Sequence, residues 1–98
     1  MGQIRDLQNI CHEVAIEKGF YDHERHPAEL IALMHSELSE GLEALRGSDE
    51  DNNIGEEMAD TVIRIMDACE YWNINLELEI LAKIEKNKKR PPKHGKKF

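Results

Sequence analysis

At 98 residues the chain has room for one modest core and not for a multidomain machine. With 40% hydrophobic and 34% charged residues, three prolines and six glycines, it is neither disordered, collagen-like nor low-complexity, and it should fold. Its longest apolar run, Leu30 to Met34, is far below the roughly 20 residues a membrane-spanning helix needs. Met1 to Asp6 lead into a polar periodic segment without a secretory pattern, so a cytoplasmic location is expected.

Apolar residues recur at helical spacing throughout, and no β-branched alternation reads as a strand, so the expected class is all-α. Ile4, Leu7, Cys11 and Val14 form the stripe of a first helix that ends at Gly19. Phe20 to His26 is a polar loop carrying aromatics. Pro27 suits the first turn of a second helix, where its missing N–H costs nothing, and Leu30, Ile31, Met34, Leu38, Leu42 and Leu45 carry that helix to Arg46-Gly47. After a polar turn over Ser48 to Asn53, Asn53 and Glu56 have the spacing of a capping box for a third helix. Its apolar face is Ile54, Met58, Val62, Ile65, Met66, Cys69 and Trp72. Asn73 and Asn75 break the chain, and Leu76, Leu78, Ile80, Leu81 and Ile84 make a fourth helix that runs out near Lys88. Pro91-Pro92 forbids continuation, leaving an extended basic tail from about residue 89.

The net charge of −7 is unevenly spread. Residues 1–82 hold five Lys/Arg against nineteen Asp/Glu, a balance of −14, whereas Lys83 to Phe98 hold eight against Glu85 alone, a balance of +7. A basic tail can serve nucleic acid, but a duplex would meet the repulsion of the acidic body, so no nucleic-acid partner is expected. A small polyanion held through a metal and the tail fits the charges better. Cys11 and Cys69 sit far apart on apolar faces and read as buried thiols, with no neighbouring His or Cys at zinc spacing.

The chemistry lies in the acids. Glu37-Leu38-Ser39-Glu40 and Glu57-Met58-Ala59-Asp60 each place two carboxylates three residues apart, on one side of a helix with Cβ atoms about 5–6 Å apart. A short turn makes the two helices antiparallel neighbours. At about 100° per residue, Glu37 projects between Leu30 and Leu33 and Glu40 falls on the same flank, beside an apolar stripe centred near Leu38 and Leu45. Glu57 and Asp60 flank their own stripe, less deeply. Four carboxylates gathered at a core edge raise one another's pKa unless a cation lies among them, and oxygen donors alone select Mg²⁺, with Mn²⁺ as a substitute. A di-iron site would need Glu-x-x-His, and no glutamate here has a histidine three residues later. The competing reading is that these acids merely solvate two helices, with Asp60 and Arg64 a surface ion pair.

The stretch Leu33 to Arg46, followed by Glu56-Glu57-Met58-Ala59-Asp60-Thr61-Val62-Ile63-Arg64, resembles the MazG-like branch of the all-α nucleoside triphosphate pyrophosphohydrolases. The signature of that branch is a Glu-x-x-Glu helix followed by a Glu-x-x-Asp helix. Lys18-Gly19-Phe20-Tyr21-Asp22 and the ending Lys83 to Phe98 are similar to small phage-type and integron-type members, so the resemblance covers nearly the whole chain. It implies a four-helix bundle completed by oligomerisation, as a homodimer or homotetramer with sites near subunit interfaces. It also implies hydrolysis of an NTP or dNTP to the monophosphate and pyrophosphate, with Mg²⁺ held by Glu37, Glu40, Glu57 and Asp60. Glu37 or Glu40 would activate water, and Lys83, Asn87 and Arg90 would bind substrate. Ser36 stands where some relatives extend the acidic cluster, which leaves the number of metal ions open. Phe20 and Tyr21 are candidates for a base pocket, and Trp72 reads as core. The alternatives are a non-catalytic helical oligomerisation module and a phosphoribosyl-ATP pyrophosphohydrolase.

Overall fold

A computed structural model describes residues 2–47 and 53–91. The expected turn over 48–52 and the tail beyond Pro91 lie outside the described residues. Four helices are present among them: α1 (Gln3–Glu17), α2 (Pro27–Arg46), α3 (Ile54–Tyr71) and α4 (Leu76–Lys89). No strand occurs among the described residues, so the chain is all-α. None of these helices is long and apolar enough to cross a membrane.

Local chemistry explains the boundaries. At the end of α1, Gly19 takes φ +85°, its N–H donates to the Ile16 carbonyl and the Phe20 N–H donates to the Ala15 carbonyl. That pair of bonds is a Schellman motif, and it needs the left-handed conformation that glycine adopts without strain. Asn73 does the same work after α3 at φ 59°, with its own N–H on the Glu70 carbonyl and the Ile74 N–H on the Cys69 carbonyl. Side chains of Asn53 and Asn75 cap α3 and α4 by accepting from the N–H groups of Glu56 and Leu78. Pro27 opens α2, and His26 caps it by accepting from the Ala28 N–H through Nδ1, a role the sequence pattern did not suggest.

α3 is the central element. α1 and α2 both pack on it, and α4 leans on α1. The best-buried region lies at the α1–α3 junction, with Met66, Asp67, Ala68 and Cys69 of α3 joined by Leu30 of α2. Gln8 is fully buried there: its Nε2 donates to the Glu70 carboxylate at 3.1 Å and the Ile74 carbonyl at 2.6 Å, and its Oε1 accepts from the Leu76 N–H at 3.2 Å. One amide thereby satisfies the backbone of the α3–α4 turn.

The α2 stripe turns out otherwise than its periodicity predicts. Leu38, Leu42 and Leu45 are 47–61% exposed, whereas Gly41 is buried. A Cβ on Gly41 would lie 3.2 Å from Met58 and 3.5 Å from Ile54, so the missing side chain lets α2 approach α3 along the Glu37–Gly41 line. The leucines consequently point away from α3. Met58 and Val62 of α3 are exposed as well. The radius of gyration, 16.0 Å, exceeds the roughly 13 Å of a compact chain of this length.

Candidate metal centre and groove

α2 and α3 run antiparallel, and their shared seam carries the acids. Carboxylate oxygens of Glu37, Glu40 and Glu57 come within 4.8 Å of one another. Asp60, one turn beyond Glu57, falls outside that set yet is close enough for its charge to act on Glu40. The Glu40 carboxyl is held above the ordinary glutamate range, chiefly through hydrogen bonding to Glu37, then by the charge of Glu37, desolvation, and the charges of Glu57 and Asp60. Three like charges at this separation are mutually destabilising until a cation or a proton joins them.

The site accommodates a hard cation on two counts. Its donors are all carboxylate oxygens, the set that suits Mg²⁺ and Mn²⁺. Oε2 of Glu57 is also buried without a hydrogen-bond partner, and an orphaned acceptor in such a position needs a ligand or water. Glu37 is enclosed and has a partner: its side chain is 15% exposed and Oε1 lies 3.4 Å from Nε of Arg64. Arg64 therefore pairs across helices with Glu37, and not with Asp60 one turn before it on α3.

Beside the acids opens a groove of about 650 Å³ between α1, the α1–α2 loop and α3. Its lining mixes the acids Glu37, Asp60 and Asp67 with the cations Lys18, Arg25 and Arg64 and the ring of Phe20. The Phe20 ring carries the Arg25 guanidinium 4.1 Å from its centroid and that of Arg64 at 5.3 Å. The Schellman bond from Phe20 to Ala15 places this ring at the groove, so Gly19 contributes to the site as well as to the helix end. Arg25 is held in turn by the Phe20 carbonyl, 2.6 Å from its Nε, and by Glu29.

Asp67, 4% exposed, also lines the groove. Its Oδ2 accepts from the Tyr21 hydroxyl and its Oδ1 from Nδ1 of His12, both at 2.8 Å. An ionised carboxylate only accepts, so the His12 proton belongs on Nδ1. Tyr21 stacks on Tyr71 at 4.6 Å and meets Phe20 edge-on at 4.9 Å. Burial and the bond to Asp67 push the Tyr21 hydroxyl well above the usual phenol range. Tyr21 is thus a support behind Phe20 rather than a second free ring.

Of the residues singled out in the sequence, Glu37, Glu40 and Glu57 come together, with Asp60 adjacent. Lys83, Asn87 and Arg90 lie exposed on α4 and at its C-cap, and they line no part of the groove. Trp72 is half-buried, its Nε1 buried without an acceptor, and it also lies outside the groove lining. Sequence reading missed Lys18, Arg25 and Arg64 as groove cations, and Asp67 with His12 as the scaffold behind them. The available signal was the run Asp60, Arg64, Asp67 at helical spacing on α3. Compared with protein-family models, curated proteins and solved structures, the chain matches none.

Proposed function

We propose that the chain is a Mg²⁺-dependent nucleoside triphosphate pyrophosphohydrolase of the MazG-like type, converting a dNTP or NTP to the monophosphate and pyrophosphate, with dNTPs the preferred class. One observation carries the reading: the convergence of Glu37, Glu40 and Glu57 from two helices beside a groove lined by acids, by Lys18, Arg25 and Arg64, and by Phe20. A triphosphate brings about four negative charges, so it approaches four carboxylates only with cations between. Glu37, Glu40, Glu57 and Asp60 would hold Mg²⁺, which supplies charge neutralisation and a lowered pKa for bound water.

The chain's own residues do the remainder. Glu37 or Glu40 orients the attacking water and accepts its proton as the water oxygen bonds to phosphorus and pyrophosphate departs with the bridging oxygen. Glu40 is exposed, while Glu37 is engaged by Arg64. Phe20 offers a face for a base, and Lys18 and Arg25 offer positive charge to the substrate. Lys83, Asn87 and Arg90 would act on phosphate oxygens at a site completed by a second copy. Self-association accords with the exposed Ile31, Leu38, Leu42 and Leu45 of α2.

The test is incubation with each common dNTP and NTP plus Mg²⁺, with products resolved. Monophosphate plus pyrophosphate, lost with EDTA and in Glu37→Gln, supports the reading. Absence of turnover with Mg²⁺ or Mn²⁺ on all of them overturns it in favour of a helical interaction module.

A further inference from the structure

We infer that Arg64 is a built-in counter-cation for Glu37 that gives way to the divalent metal and is thereby released to the groove. The inference rests on the metal-site reading above and adds to it a residue that favours metal-free rest and anion-bound work. Arg64 lies four residues after Asp60 and seven after Glu57, so it rises from the carboxylate-bearing side of α3. Its Nε reaches Glu37 Oε1 at 3.4 Å, longer than the 2.7–2.9 Å of a strong charge-assisted bond. The pair is therefore one that a better cation can displace.

Glu37 cannot serve both partners equally. Its carboxylate belongs to the three-acid cluster, and a divalent ion among those oxygens competes with the guanidinium for the charge of one carboxylate and repels it across a few ångströms. Arg64 has somewhere else to go. Its guanidinium already stands 5.3 Å from the Phe20 ring, and its side chain, 35% exposed, lines the groove with Lys18 and Arg25. Once released from Glu37 it adds a third positive charge to that part of the groove, where a polyphosphate would lie. Metal loading thus exchanges the guanidinium at Glu37 for the metal and leaves Arg64 to the groove beside Lys18 and Arg25, which orders metal before anion. Arg64 acts here as a positioning and anion-binding residue.

The test uses the full chain, Mn²⁺ alone and inorganic tripolyphosphate with saturating Mg²⁺. In Arg64→Gln, Mn²⁺ measured by paramagnetic resonance without nucleotide should bind about threefold to tenfold tighter, because a competing charge is gone. Tripolyphosphate with Mg²⁺ should bind about tenfold weaker, because a charge-assisted partner is gone. Arg64→Lys should lie near wild type for Mn²⁺. Thermal melting of each variant verifies the fold. Opposite signs for the two ligands support the exchange. Equal or weaker Mn²⁺ binding in a folded Arg64→Gln overturns it while leaving the metal site standing. If neither wild type nor variant binds Mn²⁺, the metal site falls and the exchange with it.

Discussion

The two halves of α3 solve different problems. Its C-terminal half, Met66 to Cys69, is buried against α1, with Gln8, His12 and Tyr21 satisfying the polar groups that go inside. Its N-terminal half meets α2 through a glycine, carries an orphaned carboxylate oxygen at Glu57, and leaves Met58 and Val62 exposed beside the α2 leucines. The first half pairs most of its buried polar groups, although Trp72 Nε1 lacks an acceptor and Leu7, Ile10, Val14 and Ile16 of α1 stay exposed. The second gathers three carboxylates on its seam with α2 and leaves one of their oxygens without a partner.

Four expected outcomes can break this contrast. The largest concerns Glu57→Gln, which should lower Mg²⁺-dependent turnover by about a thousandfold while melting at or above wild type, since a repulsive charge is removed from the cluster. A lower melting temperature would instead place Glu57 on the structural side. Gln8→Ala should do the reverse, costing about 3 kcal/mol in chemical denaturation by opening a cavity and stranding the Ile74 carbonyl and Leu76 N–H. Activity per folded molecule should survive it.

Third, Leu38→Lys with Leu45→Lys should weaken self-association by at least about tenfold in analytical ultracentrifugation, because charges replace an apolar contact. If both chains sediment alike as monomers, the exposed α2 stripe is merely solvated. The smallest effect concerns the thiols. Burial, then the charge of Asp67, raises the Cys11 pKa; burial, then Glu79, raises that of Cys69. A raised thiol pKa means less thiolate at a given pH, so alkylation by iodoacetamide should set in at higher pH than for a free thiol and be slower at Cys69, which is 7% exposed. Alkylation of Cys69 as fast as that of free cysteine near pH 8 would show that the packed half opens readily.

Much of the fold is legible because its signals act over a few residues. Pro27, Gly19, Asn53, Asn73 and Asn75 mark helix ends through a fixed ring, a left-handed conformation or a side-chain cap, each needing only its near neighbours. The carboxylate pairs are legible for the same reason, since three-residue spacing fixes a common helix side. Burial of Leu38, Leu42 and Leu45 was misjudged because an amphipathic stripe shows which residues want cover and not whether the same chain supplies it. The competing pairing of Arg64 with Asp60 needs only nearness in sequence, whereas Glu37, its actual partner, is near only after α2 has packed.

The sequence by itself determined four helices, their ends, the acidic body with its basic ending, and the two carboxylate pairs, all consequences of composition and short-range stereochemistry. Only the tertiary structure decided that Gly41 draws α2 onto α3, that Glu37, Glu40 and Glu57 converge with Asp60 beside them, and that Arg64 turns to Glu37. It likewise decided that Phe20, Lys18 and Arg25 share a groove with Glu37 and Asp60 while Lys83, Asn87 and Arg90 do not. These outcomes depend on how closely two helix surfaces approach and at what rotation, which shape complementarity between distant residues sets and no local spacing encodes.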